Sequence, residues 1–428
     1  MNKEHPRTLV LSVNAFRRGG SNGRVLAKLF GNWPQDCIAQ FYTYNELPDI
    51  PLCRNYFRVT DKEVLFSFIP WKKIGSRPEL LTSTTSTEGA LQAYKRKVAR
   101  NPLTLLIQDI VWNLKFWQRR QFWQWIEDFN PEVIVLFATG SSYLNNLAVQ
   151  ISKKYRLPIV IFNTENYYFK NYNYFFDAGF DCFYPLYKYE SSKAFERLMQ
   201  HSFHEVYLNH QLERVHRERF QKAGTVLHQS SDLKPFEPID TTSELRFTYA
   251  GNLGLNRHRA LIEIADALQK ISPSYYLDVY GRVTHEETEI ELQQANGIRF
   301  HGLVPYSQVV DIMKASHFLV HAESFEERWV KDLCAAFTTK LSDILTVGRC
   351  LILYAHESIS CAEYVTENRC GCVINRKKDL VDKLQELIND TKLQATYIQN
   401  GLKVSQRDMN FVQNSSRFKQ ILQKATGV

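Results

Sequence analysis

The sequence predicts an α/β fold with two doubly wound domains and a C-terminal helical tail. Short apolar runs alternate with stretches whose apolar residues recur at helical spacing, which is typical of parallel sheets covered by helices. This alternation is interrupted at residues 229–244 by a polar run that contains two prolines. The chain has 428 residues, which is too long for one ordinary hydrophobic core. We therefore expect two domains joined near this polar run.

The first domain is expected to span residues 1–232. Its predicted strands lie at residues 8–13, 38–43, 132–137, 157–162 and 204–208. The stretch 91–129 is expected to be largely helical. Two of the strands are followed by polar loops that contain glycine, and ligands of doubly wound sheets bind beyond the carboxyl ends of strands.

The second domain is expected to span residues 233–410. Its predicted strands lie at residues 245–250, 276–280, 298–301, 317–321, 350–354 and 372–374. A helix is expected over residues 259–270, and Ser307 is expected to cap another helix over residues 308–314. Residues 411–428 are expected to form a terminal helix that packs back on the first domain.

The composition is that of a globular protein, with 44% hydrophobic and 23% charged residues. The net charge of +8 favours an anionic partner, but the basic residues are not concentrated in one motif, which argues against nucleic acid. No apolar run is long enough to span a bilayer, and the polar first residues do not resemble a signal peptide. We therefore expect a cytoplasmic protein. Its histidines and cysteines lack the spacings of metal ligands, so we predict no bound metal.

The first candidate site is the sequence TYAGNLGLNR, where a predicted strand ends and a helix begins. Gly251 and Gly254 would let a phosphate approach the backbone N–H groups, and the helix N-terminus adds positive potential. Arg257 would clamp a diphosphate with two hydrogen bonds. The alternative is a tight turn without a ligand.

The second candidate site is the sequence FTTKLSDILTVGR, in which a threonine pair precedes a short helix. A threonine at the N-cap would leave the next N–H groups pointing toward an anion, and Lys340 would add a positive charge. Asp343, one turn later, would accept hydrogen bonds from two ribose hydroxyls. The alternative is an ordinary capped helix with a solvent-facing Lys340–Asp343 pair. Together, the two candidate sites supply what a nucleoside diphosphate needs.

Residues 247–374 resemble the donor domain of GT-B glycosyltransferases, in particular the retaining family-four (glycosyl transferases group 1) type. The resemblance is carried by FTYAGNLG, FHGLVPYSQVVDIMKASHFLV and FTTKLSDILTVGR. It implies two Rossmann-like domains that face a cleft. It also implies transfer of a sugar, with retention, from a nucleoside-diphosphate sugar to a glycan or lipid-linked acceptor, without cofactor or metal. The expected setting is the synthesis of bacterial surface polysaccharide.

The resemblance further implies roles for individual residues. Arg257 and Lys340 would stabilise charge on the leaving diphosphate, and Asp343 stands where the family has the glutamate that binds the donor ribose. The remaining donor contacts would come from Gly251, Asn252, Gly254, Gly302, Leu303, Val304, Thr338 and Thr339. In the family the glutamate that binds the donor ribose is the second of a pair, and the first lies eight residues before it, where this chain has Ala335. Acidic residues lie upstream instead, at Glu323, Glu326 and Glu327.

In the first domain, two polar loops are candidates for contact with the acceptor. Gly19, Gly20 and Asn22 lie in a loop that resembles the family's first glycine loop, beside donor phosphates and acceptor. Glu165 and Asn166 follow a predicted strand and offer polar groups to an acceptor sugar. The alternative for this second loop is an ordinary aromatic surface loop.

An aromatic and basic cluster between Trp112 and Trp125 has two interpretations. On one continuous helix Trp112, Phe116, Arg119 and Trp123 would share a face, which is typical of helices that lie on a membrane. The same spacing also fits a helix that packs on its own sheet. We therefore list peripheral membrane contact at the inner face of a membrane as one expectation for this region.

Two other functions fit the same residues. A sugar-nucleotide epimerase of the GT-B fold would act on the donor alone. A non-catalytic scaffold would bind a nucleotide sugar without transferring it, and Ala335 keeps that alternative open. A dinucleotide oxidoreductase fits less well, because no GxGxxG motif follows the first strand.

Overall fold

The computed structural model describes residues 4–17, 21–31, 33–80, 101–175, 179–239, 244–283 and 285–427, with only the backbone described at residues 21 and 22. The chain forms two compact units. The first contains residues 1–227 and 411–428, and the second contains residues 228–410. Residues 228–232, which the sequence assigned to the first domain, are therefore part of the second unit.

The first unit contains a parallel sheet of seven strands in the order β3-β2-β1-β4-β5-β6-β7. The strands are β1 (Thr8–Ser12), β2 (Ile38–Tyr42), β3 (Asn55–Arg58), β4 (Val133–Phe137), β5 (Ile159–Asn163), β6 (Ser202–Tyr207) and β7 (Thr225–Val226). All residues of the central strands β1 and β4 are buried. Continuous apolar runs of this kind are required because helices cover both faces of a parallel sheet.

Eight α-helices surround this sheet in the described part of the first unit. They are α1 (Ser21–Phe30), α2 (Asp61–Leu65), α3 (Pro102–Asn113), α4 (Arg120–Phe129), α5 (Ser142–Tyr155), α6 (Tyr184–His201), α7 (His210–Phe220) and the last helix (Phe411–Thr426). The last helix returns to this unit, where the ring of Phe418 packs edge-on against Phe30 with centroids 5.5 Å apart.

The second unit contains a parallel sheet of six strands in the order β10-β9-β8-β11-β12-β13. The strands are β8 (Phe247–Ala250), β9 (Leu277–Tyr280), β10 (Ile298–Gly302), β11 (Phe318–Ala322), β12 (Cys350–Tyr354) and β13 (Cys372–Ile374). The α/β fold with two doubly wound sheets is thus confirmed.

The second unit also contains eight α-helices among its described residues. They are α8 (Arg257–Ile271), α9 (Glu286–Gln294), α10 (Tyr306–Lys314), α11 (Glu327–Leu333), α12 (Lys340–Val347), α13 (Ser360–Asn368), α14 (Leu380–Asn389) and α15 (Thr391–Asp408); the last helix of the chain is accordingly α16. The expected cap at Ser307 is wrong. Pro305 occupies the N-cap position of α10, and Ser307 already lies inside the first turn.

The aromatic cluster between Trp112 and Trp125 belongs to the core, so its interpretation as a membrane-facing helix is wrong. The predicted helix is interrupted, because Lys115 has a φ of +64° between α3 and α4. The i, i+4, i+7, i+11 spacing therefore does not continue on one face. Side chains buried in the first unit's core include Trp112, Trp117, Phe122 and Trp125. Phe116 is exposed and Trp123 is half-buried.

No helix in the described ranges is both long enough and apolar enough to cross a bilayer.

Candidate functional site

Three loops meet at the carboxyl ends of the neighbouring strands β8, β9 and β10. The backbone N–H of Gly251 donates to the Tyr280 carbonyl at 2.8 Å, and that of Gly281 donates to the Gly302 carbonyl at 2.8 Å. A Cβ atom on Gly281 would lie 2.0 Å from the Gly251 carbonyl oxygen, so this approach of the two backbones requires glycine. The predicted phosphate loop and the predicted nucleobase loop are therefore neighbours.

Lys340 lies directly on the glycine loop. A Cβ atom at position 251 would be 1.8 Å from the Lys340 Nζ and 2.3 Å from its Cε. The same Nζ donates to the Tyr249 hydroxyl at 3.1 Å and stands 4.7 Å from the centre of that ring. The absent side chain of Gly251 thus makes the space that the ammonium occupies. Two motifs that are far apart in the sequence form one site.

The environment of Lys340 changes its proton affinity. Removal from water lowers the pKa of its ammonium, and the neighbouring Arg257 lowers it further, to about 7, while Glu323 acts in the opposite direction. Half of the ammonium groups would therefore lose their proton near neutral pH. An anion bound beside Nζ would raise this pKa again, because it favours the charged form.

Arg257 is partly committed to partners within the protein. Its Nε donates to Glu323 Oε2 at 2.7 Å and its Nη1 donates to the Gly254 carbonyl at 3.3 Å. These bonds use two of the five N–H donors of a guanidinium. A guanidinium with this little exposure requires a carboxylate partner, and the three remaining N–H donors could still form the predicted clamp on a diphosphate.

Glu323 is the centre of a buried ionic network that the sequence did not reveal. Its Oε1 lies 3.0 Å from His321 Nε2, and its Oε2 accepts from Arg257. Burial by itself would raise the pKa of Glu323, but Arg257 and His321 outweigh burial and lower this pKa to about 2. The spacing of His321 and Glu323 by two residues at the end of β11 places both on one side of the chain, and was the available signal.

Glu326 binds residues around the start of α8, and Glu327 binds a lysine on the surface. Glu326 accepts from the Asn256 amide at 2.9 and 3.0 Å and pairs with Arg259 at 2.9 Å. Glu327 pairs with Lys331 on the surface at 2.6 Å. Ala335 itself is buried. The position where the family has its first glutamate therefore carries an apolar side chain packed inside the second unit.

Asp343 is buried, so a solvent-facing pair with Lys340 is wrong. Its Oδ1 accepts from the Ser231 hydroxyl at 2.7 Å, and its Oδ2 accepts from the Tyr306 hydroxyl at 3.3 Å. A carboxylate is acceptor-only and a ribose hydroxyl is a donor, so the chemical type of Asp343 fits the predicted contact. The sequence missed Ser231, which it assigned to a linker, and Tyr306.

Thr339 occupies the N-cap position of α12 but does not act as a cap. Its φ of −67° and ψ of −17° are helical, and its side chain makes no capping hydrogen bond with the described residues. A capping threonine has an extended backbone instead, so the expected cap is wrong. Thr338, Thr339 and Lys340 are all half-buried. The first-turn N–H groups are thus left without this side-chain acceptor and carry the positive end of the helix dipole.

The remaining predicted donor residues border the same loops. Asn252 Oδ1 accepts from the Gly254 N–H at 2.9 Å, which fixes the turn before α8. Gly302 has a φ of +71°, Leu303 is exposed and Val304 is half-buried. The exposed Leu303 side chain gives this loop an apolar surface.

The predicted acceptor loops belong to the first unit. Gly19 and Gly20 lie outside the described residues, as does the side chain of Asn22. Glu165 and Asn166 follow β5 and are half-buried. The Asn166 Oδ1 atom is buried and has no hydrogen-bond partner among the described residues. A buried amide oxygen without a donor is costly, so a ligand hydroxyl is a suitable partner for it.

The sequence of the second unit matches a known family. The match covers residues 234–404 and is to the family described as glycosyl transferases group 1. These residues belong to the glycosyl transferases group 1 family. Group 1 membership supports glycosyl transfer as the activity and confirms the resemblance on which the site was predicted. No curated protein sequence matches the chain.

Solved structures show the same fold over almost the whole chain. HepE from Anabaena in complex with UDP aligns with a TM-score of 0.64 at 12% identity, covering 98% of this chain and 100% of that one. Sucrose-phosphate synthase from Thermosynechococcus elongatus aligns with a TM-score of 0.62 at 12% identity, covering 98% and 99%. WaaG, a glycosyltransferase involved in lipopolysaccharide biosynthesis, aligns with a TM-score of 0.54 at 13% identity, covering 97% and 99%. At these identities the likeness establishes the GT-B fold.

Proposed function

We propose that this protein transfers a sugar from a nucleoside-diphosphate sugar to a hydroxyl of a glycan or lipid-linked acceptor. The observation that carries the proposal is the position of Lys340, whose ammonium packs on the bare backbone of Gly251 at the first turn of α12. A glycine loop, a lysine and a helix N-terminus at one point are the groups that bind a diphosphate.

The same groups would stabilise the departing nucleoside diphosphate. Negative charge grows on its phosphate oxygens as the bond to the sugar breaks. Lys340, the remaining N–H groups of Arg257 and the backbone N–H groups of Thr338 and Thr339, just before α12, would face this charge. Removing one such donor typically costs about 2.7–4 kcal/mol at the transition state. On this proposal the positive groups of the chain do the work for which other enzymes use a metal ion, and no cofactor takes part.

The other parts of the substrates are assigned to residues of both units. Asp343 would bind the ribose, and the loop Gly302–Val304 would hold the base. Glu165 and Asn166 would contact the acceptor, with the buried Asn166 Oδ1 accepting from a sugar hydroxyl. HepE was solved with UDP, which makes UDP-sugars the first donors to test. WaaG is involved in lipopolysaccharide biosynthesis, which supports bacterial surface polysaccharide as the setting. The inner face of a membrane is part of the same proposal, because a lipid-linked acceptor would lie there.

Retention at the anomeric carbon is proposed from the resemblance to the family. The buried Ala335 leaves the donor sugar without the carboxylate that the family places there. The product anomer distinguishes the outcomes: retention predicts that the new linkage has the configuration of the donor, as read by proton NMR. An inverted linkage would overturn this part of the proposal and leave the assignment of the donor residues intact.

A scaffold that only binds a nucleotide sugar is the second candidate, and Ala335 is the observation that favours it. It predicts tight donor binding without turnover on any acceptor. An epimerase is separated by incubating the protein with donor alone, since only an epimerase would release an isomer of it.

A thermal-shift screen tests the donor site directly. We expect UDP, GDP or ADP, or one of their sugars, to raise the melting temperature, because a ligand at a hundred times its Kd stabilises by about 2.7 kcal/mol. Lys340→Ala should lose most of this shift and cut transfer at least about a hundredfold. Lys331→Ala is the matched control, since Lys331 pairs with Glu327 on the exposed surface of the same unit. No shift with any nucleotide would overturn the donor assignment.

The pKa of Lys340 predicts how donor affinity depends on pH. Only the ammonium form attracts the diphosphate, and the free site loses its proton around pH 7. The affinity for an intact nucleoside-diphosphate sugar should therefore be full below about pH 6 and weaken about tenfold per pH unit above pH 7. Isothermal titration calorimetry between pH 6 and 9 measures this dependence.

The pKa values of three neighbours of Lys340 are shifted away from the range between pH 7 and 9. Glu323 has a pKa of about 2, burial lowers the pKa of His321, and burial raises the pKa of Tyr249 well above its usual value. Lys340→Arg is the control, because a guanidinium keeps its charge throughout. Its donor affinity should be independent of pH between 7 and 9. A flat profile in the unmodified protein would contradict the assignment.

A further inference from the structure

Large apolar side chains are exposed on α2 and the turn that follows it, in the first unit. Leu65, Phe66 and Phe68 are all exposed, and Trp71 is 87% exposed. Single exposed apolar residues are ordinary on protein surfaces, but several aromatic residues within seven positions are not. This segment lies in the first unit, and the loops around Gly251 and Lys340 lie in the second.

Helix α3 adds a second apolar segment. Ile107, Ile110 and Leu114 are exposed and recur at helical spacing, so they lie on one face of the helix. The opposite face is buried, with Trp112 in the core. Phe116, just beyond the helix, is also exposed. We refer to residues 65–71 together with Ile107, Ile110, Leu114 and Phe116 as the apolar patch.

The two segments of the apolar patch are fixed to each other by hydrogen bonds. Asp61 Oδ1 accepts from the Trp112 indole at 2.8 Å, which joins the start of α2 to α3. The Arg119 guanidinium donates to the carbonyl oxygens of Ser67 at 2.6 Å and Ile69 at 3.2 Å. These hydrogen bonds fix the backbone of the turn that carries Phe68. The exposed aromatic side chains of this turn therefore have defined positions on the surface.

Exposed lysines lie within and beside the apolar patch. The exposed lysines within its two segments and at their edges are Lys62, Lys72, Lys73 and Lys115. The Lys72 Nζ stands 4.8 Å from the centre of the Phe66 ring. The carboxylates of the segment have partners in the protein, since Asp61 accepts from Trp112 and Glu63 accepts from the Thr60 and Gly75 N–H groups. Aromatic side chains bordered by lysines are complementary to an anionic lipid surface.

We propose that the apolar patch docks the first unit on an anionic bilayer. Phe68 and Trp71 would enter the boundary between headgroups and acyl chains, where the amphipathic indole is favoured. The surrounding lysines would contact lipid phosphates. A second copy of the chain is a poorer occupant, because a symmetric contact would bring the same lysines face to face. The patch includes Leu114 and Phe116 from the stretch between Trp112 and Trp125, but none of the tryptophans of that stretch. In one respect this inference rests on the proposed function: the docked surface would bring the enzyme to a lipid-linked acceptor.

Trp71 provides a site-specific reporter for the docking. Of the seven tryptophans, Trp71 is the highly exposed one, while Trp123 is half-buried and the others are buried: Trp33, Trp112, Trp117, Trp125 and Trp329. Vesicles of phosphatidylcholine and phosphatidylglycerol with brominated acyl chains should therefore quench part of the tryptophan emission. Trp71→Phe should abolish the quenching while the protein still sediments with the vesicles. Quenching that persists in this variant would overturn the proposed insertion.

Vesicle sedimentation tests the surface as a whole. Phe68→Ser with Trp71→Ser should weaken binding to anionic vesicles at least tenfold. Lys72→Glu with Lys73→Glu should weaken vesicle binding by about fivefold or more for each lysine. Added salt should likewise weaken vesicle binding by the unmodified protein. Phe203→Ser with Val412→Ser is the matched control, because both residues are exposed elsewhere on the first unit. Circular dichroism should show unchanged melting for all four proteins.

The outcomes separate this proposal from glycosyl transfer. The patch variants should keep full turnover on a soluble acceptor, since none of these residues is assigned to the donor or acceptor. No binding of the unmodified protein to anionic vesicles, or equal binding by the patch variants, would overturn the docking surface. Analytical ultracentrifugation that finds a dimer dependent on Phe68 and Trp71 would assign the patch to a second copy instead.

Discussion

Replacing Gly251 by alanine is expected to reduce glycosyl transfer at least about a hundredfold while the protein stays folded. The new Cβ atom would lie 1.8 Å from the Lys340 Nζ, so the lysine would have to leave its position on the glycine loop. The displaced ammonium would no longer face the leaving diphosphate, and loss of one such contact costs about 2.7–4 kcal/mol at the transition state. Steady-state rates with saturating acceptor measure the effect.

Gly401→Ala, in α15 of the same unit, is the matched control. There a Cβ atom would stand 3.2 Å from the Leu345 Cδ2 and would not meet Lys340, and Gly401 is assigned to neither donor nor acceptor. We expect Gly401→Ala to keep most of the activity, and both variants to melt within a few degrees of the unmodified protein. A Gly251→Ala enzyme as active as Gly401→Ala would show that Lys340 need not occupy this position during catalysis.

Replacing Glu323 by glutamine is expected to be the most destabilising of the substitutions considered at the site. It leaves the Arg257 guanidinium without its carboxylate partner in a buried environment, which typically costs about 3–5 kcal/mol. Chemical denaturation of the unmodified protein and of Glu323→Gln measures this loss of stability. Glu326→Gln is the control, because Glu326 pairs with Arg259 on the surface, where ion pairs contribute about 1 kcal/mol or less.

The pH dependence of stability gives an independent check on Glu323. Its pKa is about 2 in the folded protein and near 4.5 when unperturbed, so the charged form is favoured by folding. The resulting stability is present above about pH 4.5 and is lost as the pH falls toward 2. Two and a half pH units correspond to roughly 3 kcal/mol, in the range expected for loss of the ion pair. Glu323→Gln should flatten this part of the acid denaturation profile.

A double substitution separates stability from catalysis. Arg257→Met with Glu323→Leu removes both charges and should recover much of the stability that Glu323→Gln loses, because apolar residues often replace a buried ion pair at little cost. Transfer should stay low, since the guanidinium that is proposed to face the diphosphate is gone. A double variant as unstable as Glu323→Gln would show that the unpaired charge is not the cause of the instability.

The parallel sheets could be predicted from the sequence because their central strands are continuous apolar runs. The predicted strands at 350–354 and 372–374 have the bounds found in the structure. The edge strands β3 and β7 were missed. Strand β3 begins with Asn55 and ends with Arg58, and β7 has only two residues, so neither shows the apolar run of a strand buried on both faces.

The composition of the site could be predicted, but its internal partners could not. Glycines, a lysine and an aspartate follow the strands in an order that favours a diphosphate, and local pattern is enough to see this. The contact between Gly251 and Lys340, the pairing of Arg257 with Glu323 and the contact of Ser231 with Asp343 all join residues distant in the sequence. Local spacing contains no information about such pairs.

The membrane interpretation of the aromatic cluster was wrong for a related reason. The membrane interpretation assumed one continuous helix from Trp112 to Trp125, and the positive φ of Lys115 ends that helix. Exposure of Trp71 depends on how α2 and its turn pack on α3, which no periodicity indicates.

The return of α16 to the first unit has a consequence for how the protein is made. Phe418, Ile421 and Leu422 complete the same hydrophobic cluster as Phe16 and Phe30, although the whole second unit lies between them in the chain. During synthesis the first unit therefore emerges early and must wait, with part of its core open to solvent, until residues 411–426 leave the ribosome. We expect a fragment that stops at residue 227 to aggregate, and the same fragment to be rescued by a peptide corresponding to α16.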